Sequence, residues 1–261
     1  MRTNFHTHTE RCCHAFGNEE SYVSSAIKNG VGVLGFSDHA PFPDRDYGYR
    51  MKYEELPEYL RTIDESAERH RGEIQLYKGL ETEYLCGYDD YYRQLFDVYG
   101  LDYLALGEHM YNSPDGDIKN IFFAQSSSDY VEYALAVCKA LETGFFTFVA
   151  HPDVMFTNNI AFDDNCQRAM ELIIDCAIKH DTILEFNANG YRKGICAYDT
   201  GDRNPYPYDK FWELAAKTEL RVIVGSDCHD PGQVFDEYMI LAIKKAREYK
   251  LRLTDNIFRQ R

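Results

Sequence analysis

The sequence predicts an α/β protein built as a barrel of seven parallel strands with helices between them. Two observations predict this fold class. Short apolar runs alternate with amphipathic segments from end to end, and a length of 261 residues suits a single α/β barrel. An open doubly wound sheet would show the same alternation. No linker or internal repeat interrupts the chain, so residues 1–261 are expected to form one domain.

Seven apolar runs are the predicted strands. Several of them are continuous rather than alternating, which is typical of strands buried on both faces in a parallel sheet. In chain order they are Thr3–His8, Val33–His39, Ile74–Tyr84, Asp102–His109, Phe146–His151, Thr182–Asn187 and Arg221–Asp227.

Amphipathic segments with recognisable caps are the predicted helices between these strands. The first follows Asn18, a favourable N-cap residue, and stops at Gly30. The others repeat apolar residues with a period near 3.6. They are Tyr53–Arg71, Ser128–Thr143, Asp163–His180, Tyr208–Thr218 and Asp236–Tyr249.

Composition narrows the possible partners and the compartment. A net charge of −15 argues against a general affinity for nucleic acid or for anionic membranes. No apolar run approaches the roughly 20 residues that span a bilayer, and no secretory leader precedes His6. The eight cysteines form no C-x-x-C pair, so we expect reduced thiols and a cytoplasmic protein.

The first predicted strand ends in two metal-binding side chains, His6 and His8. Residues i and i+2 of a strand point to the same face, so both imidazoles can bind one metal ion. The loop that follows supplies a third imidazole, His14. An H-x-H pair alone is weak evidence, because two histidines on one strand face also arise by chance.

The same residue types end the other predicted strands. The third run ends near Glu81, whose two carboxylate oxygens can bridge two cations, which no imidazole can do. Glu83 lies on the same strand face, and a salt bridge is expected for it instead. Asp227 ends the seventh run, with His229 two residues further on. The remaining histidines at strand ends are His39, His109 and His151.

The other two histidines of the chain do not lie at strand ends and are not expected to bind metal. His70 and His180 lie at polar helix ends, where a solvated imidazole or one that interacts with the helix dipole is expected. The seven strand-end histidines and two carboxylates make nine candidate ligands. With added water they are enough for two or three cations of four or five ligands each.

Six motifs, in this order, carry a resemblance to a known family: H-T-H, S-D-H, K-G-L-E, G-E-H, A-H-P-D and S-D-C-H. Over essentially its full length the sequence resembles the PHP (polymerase and histidinol phosphatase) domain, and within it the bacterial histidinol-phosphate phosphatases. The resemblance implies a distorted TIM-like barrel of seven βα units, with a metal site at the C-terminal ends of the strands.

The resemblance also implies a trinuclear centre of zinc, iron or manganese, and ligand type alone does not choose among these metals. The first metal position comprises His6, His8, Glu81 and Asp227. The second shares Glu81 and adds His109 and His151. The third comprises His14, His39 and His229. Glu81 and Asp227 would be the catalytic carboxylates, because they hold the metals that activate a bound water.

Phosphate recognition favours arginine, whose planar fork matches phosphate oxygens. Arg192 after the sixth predicted strand is the main candidate for substrate binding, with Lys193 as its neighbouring alternative and Arg50 as a second candidate. The segment after A-H-P-D, residues 154–159, carries no positive charge. The family pattern often has a basic residue in this segment. Its absence here means that the motifs do not identify the alcohol that leaves when the ester is hydrolysed. Residues considered for contact with it are Glu108, Asp153, Phe16, Phe42 and Tyr111, with core packing as the alternative for the aromatic ones.

The expected activity is therefore metal-dependent hydrolysis of a phosphomonoester, L-histidinol phosphate, in histidine biosynthesis. Hydrolysis of another small phosphate ester, such as a nucleotide or sugar phosphate, is the alternative. The acidic charge disfavours a DNA-polymerase accessory module. Cys12, Cys13 and Cys228 lie in no phosphate-cradling loop followed by arginine, so no covalent cysteine mechanism is expected.

Overall fold

Ten strands are present in the computed structural model, which describes residues 2–258. In chain order they are β1 (Arg2–Asn4), β2 (Val31–Phe36), β3 (Gln75–Thr82), β4 (Tyr103–Leu106), β5 (Met110–Asn112), β6 (Ile118–Asn120), β7 (Phe148–Val149), β8 (Ile183–Asn187), β9 (Arg221–Gly225) and β10 (Arg252–Leu253). Eight of them form one parallel sheet in the order β1-β2-β3-β4-β7-β8-β9-β10. The other two, β5 and β6, pair as an antiparallel hairpin.

Helices connect the strands of the parallel sheet, as βα crossovers require. They are α1 (Glu19–Lys28), α2 (Leu56–Arg69), α3 (Asp89–Asp97), α4 (Ser127–Glu142), α5 (Asp164–Lys179), α6 (Asn189–Arg192), α7 (Asp209–Ala215) and α8 (Glu237–Glu248). Among residues 2–258, no helix is long and apolar enough to cross a membrane.

The sheet curls until its first strand meets its seventh. Beyond β1 and β9, Thr7 and Cys228 form a parallel bridge, and the backbone N–H of His8 donates to the carbonyl of Cys228 at 3.0 Å. The ring of strands therefore closes at the C-terminal ends, as in a barrel, while β10 continues the sheet past β9. The TIM-like barrel predicted from the sequence is confirmed, and the open doubly wound sheet is not.

All seven predicted strands form, but their paired segments are shorter than predicted. The β1 ladder stops at Asn4, four residues before His8, because the chain beyond it turns toward the bridge that closes the barrel. Five elements were not predicted: α3, the short α6, the hairpin strands β5 and β6, and β10. Helix α3 is rich in aromatic residues and lacks a side-chain N-cap, and β10 has only two residues. The hairpin, by contrast, has a recognisable turn signal in the sequence, Pro114-Asp115-Gly116.

Apolar side chains fill the barrel below the polar C-terminal end. Tyr103 is fully buried there, and its hydroxyl donates to the carbonyls of Phe5 at 2.8 Å and Phe36 at 2.9 Å. A Cβ atom on Gly79 would collide with the Tyr103 ring, so glycine makes room for it. This interior packing leaves the strand ends as the place where polar side chains gather.

The prediction that all cysteines are free thiols is wrong for one pair. Cys138 of α4 and Cys176 of α5 form a disulfide, with their Cα atoms 5.6 Å apart. The two helices pack side by side, and this brings together two cysteines that are 38 residues apart in the chain. The other six cysteines are free.

Candidate metal centre

The two histidines after β1 form the deepest part of the site. His6 and His8 are both fully buried, and their Nε2 atoms lie 3.0 Å apart. The side chains point to the same side of the extended chain, as the i, i+2 spacing predicts. Thus both rings present the same nitrogen to one point inside the barrel.

Glu81, near the C-terminal end of β3, occupies the centre of the cluster. Its carboxylate is buried, and a Cβ atom on the facing residue Gly107 would collide with Glu81 Oε1. Five imidazoles lie within 2.9–3.6 Å of its two oxygens: His6, His8 and His39 on Oε2, and His109 and His151 on Oε1. One carboxylate therefore links two separate sets of imidazoles.

Asp227 approaches the same histidines from the end of β9, the strand that meets the chain after β1 where the barrel closes. Its Oδ1 lies 3.3 Å from Nε2 of His8 and 3.6 Å from Nε2 of His6. Its Oδ2 accepts hydrogen bonds from the side-chain amides of Asn187 and Asn189, both at 3.2 Å. The backbone of Asp227 has a φ of 47°, an unusual value that places the carboxylate inside the ring of strands.

His14 and His229 join His39 in a group of three imidazoles nearer the surface. Nε2 of His14 lies 2.9 Å from Nε2 of His229, and the His14 ring stacks on His39 with centroids 5.5 Å apart. Glu81 borders this group through His39, whose Nδ1 lies 3.2 Å from Oε2 of the carboxylate. The structure thus brings together all nine predicted ligands in sets of three that could each hold a metal ion. These sets include His6–His8–Glu81, His6–His151–Asp227, Glu81–His109–His151 and His14–His39–His229.

The hydrogen bonds made by Nδ1 atoms that face away from the cluster indicate whether the site fits metal ions. Four of the rings offer Nδ1 to an acceptor: His6 to Glu185 at 2.9 Å, His109 to Glu83 at 3.2 Å, His14 to the Cys12 carbonyl at 2.7 Å and His229 to the Asp227 carbonyl at 3.2 Å. In a neutral ring, a proton on Nδ1 leaves a bare lone pair on Nε2. His14 and His229 then face each other with bare lone pairs, their Nε2 atoms 2.9 Å apart, and these repel unless a cation lies between them, so the arrangement fits a metal ion.

The buried charges of the cluster raise the pKa of some of its side chains and lower that of others. Burial disfavours protonation of His8, but hydrogen bonds to Asp227 and Glu81 outweigh it and raise its pKa to about 9. In the outer group, burial and the nearby His8 lower the pKa of His229 to about 3. Burial alone would raise the pKa of Glu81, yet the surrounding imidazoles hold it well below its usual value. Negative charge is therefore concentrated in the deep part of the site.

Glu185 of β8 is a site residue that sequence inspection missed. It is fully buried and holds His6, but it does not end a strand, which was the criterion used to select ligands. The available signal was a charged residue in the middle of an apolar run, Thr182–Asn187. Such a position is costly for a carboxylate unless donors surround it.

The two predicted substrate-binding arginines line the cavity, but both guanidinium groups already have protein partners. Arg192 donates to Asp236 through Nε and Nη2, at 2.8 and 2.9 Å, and also to Ser226. Arg50 forms a two-pronged ion pair with Glu83, at 3.2 and 3.3 Å. The salt bridge expected for Glu83 is thereby confirmed, whereas phosphate binding by either arginine stays a prediction. Lys193 lines the same cavity with an exposed side chain.

The cavity above the cluster has a volume of about 600 Å³ and is lined in part by aromatic side chains. Phe122 stacks on His109 at 5.9 Å, and Tyr49 meets His14 edge-on at 5.3 Å. Of the aromatic residues considered from the sequence, Phe42 and Tyr111 are buried in the core and Phe16 is exposed. The two acidic residues considered with them, Glu108 and Asp153, are fully buried, and Asp153 accepts from Trp212 Nε1 at 2.8 Å.

The cysteines near the cluster are poor nucleophiles. Burial raises the pKa values of both Cys12 and Cys228 to about 12, so their thiols stay protonated near neutral pH. Cys13 is exposed and its thiol lies near the backbone carbonyl of Arg11.

The two histidines outside the cluster, His70 and His180, cap the C-terminal ends of α2 and α5, as predicted. His70 is not solvated, because its ring forms a hydrogen bond with Glu20.

A closed βα barrel that gathers imidazoles and carboxylates at the C-terminal ends of its strands defines the class of metal-dependent barrel hydrolases. The chain belongs to the PHP domain family, whose profile matches residues 4–189. It is 28% identical to a probable histidinol-phosphatase of Deinococcus radiodurans, over 88% of this chain and 86% of that protein. It is 26% identical to the histidinol-phosphatase of Bacillus subtilis, over 88% of this chain and 94% of that one.

Solved structures show the same fold. A histidinol phosphate phosphatase from Lactococcus lactis, crystallised with zinc, L-histidinol and phosphate, superposes with a TM-score of 0.71. The match covers 97% of this chain and 95% of that one at 16% sequence identity, so it supports the architecture and not the substrate.

Proposed function

We propose that this protein is a metal-dependent phosphomonoesterase that hydrolyses L-histidinol phosphate to L-histidinol and phosphate. The observation that carries the proposal is the convergence of imidazole Nε2 atoms in three pairs, each 2.9–3.3 Å apart, around two buried carboxylates. The names of the relatives in the same family support the choice of substrate.

The nine residues at the strand ends would hold two or three divalent zinc, iron or manganese ions. We assign His6, His8, Glu81 and Asp227 to the first position, Glu81, His109 and His151 to the second, and His14, His39 and His229 to the third. Such ions, when bound, lower the pKa of water toward neutrality and neutralise phosphoryl oxygens during in-line attack.

The protein's own groups position this chemistry. Glu81 lies between the two deeper sets of imidazoles and would keep two cations at a fixed separation, while Asp227 closes the deepest set from the end of β9. Carboxylates held by buried hydrogen bonds would keep those cations in place as charge develops on the phosphate, and this preorganisation favours the transition state.

Substrate binding is assigned to the cavity of about 600 Å³, a volume suited to a small phosphate ester. Among cavity-lining cations within residues 2–258, Lys193 differs from Arg50 and Arg192 because its ammonium forms no ion pair with a protein carboxylate. We therefore assign Lys193 to the phosphate, with Arg192 and Arg50 retained as candidates whose ion pairs would have to be shared. Phe122 and Tyr49 offer flat surfaces to the ring of the leaving group.

The proposal is tested by steady-state kinetics with histidinol phosphate, a nucleoside monophosphate, a sugar phosphate and an aryl phosphate. Histidinol phosphate should give the highest kcat/KM, and metal-depleted or His8→Ala protein should lose activity at least about a hundredfold. Equal rates on all four esters would overturn the substrate assignment. Full activity without metal would overturn the mechanism as well.

The assignment of Lys193 has its own test. Lys193→Ala should raise KM about tenfold with little change in kcat, because one charged hydrogen bond to the bound phosphate is lost. Lys217→Ala, at an exposed position outside the cavity, is the matched control and should leave KM unchanged. An unchanged KM in Lys193→Ala would return the assignment to the arginines.

A further inference from the structure

Glu185 is a buried carboxylate whose neighbours are all donors. Its two oxygens lie 2.9 and 3.0 Å from Nδ1 of His6. Oε2 also accepts from the backbone N–H of His151 at 3.0 Å and from the Asn187 side-chain amide at 2.8 Å. The carboxylate therefore touches one proposed metal ligand through its ring and another through its backbone.

The charge of Glu185 has no arginine or lysine partner among residues 2–258; its one ion pair is with His6. Glu83, the other carboxylate that holds a histidine of the cluster, is neutralised by Arg50. A fully buried carboxylate without a fixed cation is costly. A metal ion bound at the deepest position would supply the positive charge that Glu185 faces across the His6 ring.

The neighbouring strand is shaped to admit this side chain. Gly225 in β9 lies beside it, and a Cβ atom there would collide with Glu185 Oε1. Asn187 connects Glu185 to Asp227, donating to Oε2 of the first at 2.8 Å and to Oδ2 of the second at 3.2 Å. A continuous path of hydrogen bonds thus joins two ligands of the same proposed metal position.

We propose that Glu185 is a positioning residue for the deepest metal ion. It keeps the proton of His6 on Nδ1, aims the Nε2 lone pair at the space shared with His8, Glu81 and Asp227, and so sets the affinity of that position. This inference rests on the proposed metal centre. Carboxylates that hold a ligating histidine in this way typically change metal affinity by about 10- to 100-fold when they are removed.

The test is a zinc competition titration of the purified holoprotein against a chromophoric chelator, which needs no substrate. Glu185→Gln turns one oxygen into an amide donor that must face N–H groups, so the His6 ring loses its fixed orientation. One metal equivalent should bind about 10- to 100-fold more weakly, while the others keep their wild-type affinity. Glu132→Gln, whose carboxylate pairs with Lys119 on the surface, is the matched control and should change nothing.

A double-mutant comparison separates positioning from a general structural effect. In a His6→Asn background, Glu185→Gln should cause no further loss of zinc affinity, because the effect is transmitted through the His6 ring. The same loss in both backgrounds, or unchanged binding of every equivalent in Glu185→Gln, would overturn the proposal.

Circular dichroism establishes that each variant is folded. If Glu185→Gln does not fold, Glu185→Asp serves instead, because it keeps the charge and withdraws the carboxylate from His6 by one methylene. That variant should also lose affinity for one equivalent, and wild-type binding would overturn the proposal. Loss of phosphatase specificity with intact metal binding would contradict the substrate assignment alone, so the two failures are distinguishable.

Discussion

Replacing Arg50 by methionine distinguishes its two possible roles. The guanidinium donates to both oxygens of Glu83 at 3.2 and 3.3 Å, to the Ala40 carbonyl at 2.9 Å and to the Gly48 carbonyl at 3.0 Å. The side chains of the pair are 6% and 1% exposed. If Arg50 mainly neutralises Glu83, its removal leaves a buried carboxylate without a cation, so stability falls. If Arg50 mainly binds phosphate, its removal raises the KM for the substrate and leaves the free energy of unfolding unchanged.

The expected loss follows from the burial of the pair. Removing one partner of a buried ion pair costs about 3–5 kcal/mol, because the other charge stays buried. For a chain of this size each kcal/mol lowers Tm by about 2–4 °C, so Arg50→Met should melt about 6–20 °C below wild type. Arg61→Met removes an exposed pair with Glu65, worth about 0–1 kcal/mol, and is the control.

The assay is thermal unfolding in metal-saturated buffer near pH 7, followed by urea unfolding for the free energy. Glu83→Gln combined with Arg50→Met should recover at least about 1 kcal/mol relative to Arg50→Met alone, because no unpaired charge remains. Burial raises the pKa of Glu83, but Arg50 outweighs it and lowers that pKa below 4.5. The stabilisation is thus present above pH 4.5 and is lost as pH falls through the lowered value. A Tm of Arg50→Met within about 2 °C of wild type would refute the reasoning.

Four further outcomes are expected. Gly107→Ala should lower kcat/KM at least about a hundredfold, because the new Cβ displaces Glu81; wild-type activity would contradict the packing. Metal-free His8 has a pKa of about 9 and is protonated at neutral pH, so zinc binding must release that proton. Because the pKa of His6 is raised as well, isothermal titration should show zinc affinity rising at least about tenfold per pH unit below pH 9, not a flat profile. Thiol titration of oxidised, denatured protein should give six reactive cysteines, not eight. Cys138→Ser should cost up to about 4 kcal/mol in urea unfolding, since the disulfide closes a loop of 38 residues.

Much of the fold and most of the candidate site follow from the order of residues alone. Seven apolar runs predict seven strands, and residues that come directly after parallel strands must meet at one end of a barrel. That is why His6, Glu81, His151 and Asp227 could be assigned to one cluster although they are far apart in the chain. Strand direction, a local property, fixes which end of each run carries the site.

Partners chosen by packing could not be read from the sequence. The ion pairs of Arg50 with Glu83 and of Arg192 with Asp236 have no signal in the sequence, and phosphate binding by the two arginines stays a prediction. Glu185 was missed because its importance comes from lying across the barrel from His6, 179 residues away. The disulfide between Cys138 and Cys176 depends in the same way on the packing of two helices.

Local periodicity and the direction of parallel strands are enough to predict the fold class and the nine residues that gather at the strand ends. Which nitrogen faces the centre in four of the imidazoles depends instead on the acceptor at the opposite ring atom, and only packing brings that acceptor into place. Those acceptors, Glu185, Glu83 and two backbone carbonyls, come from packing between strands and loops that sequence spacing does not specify.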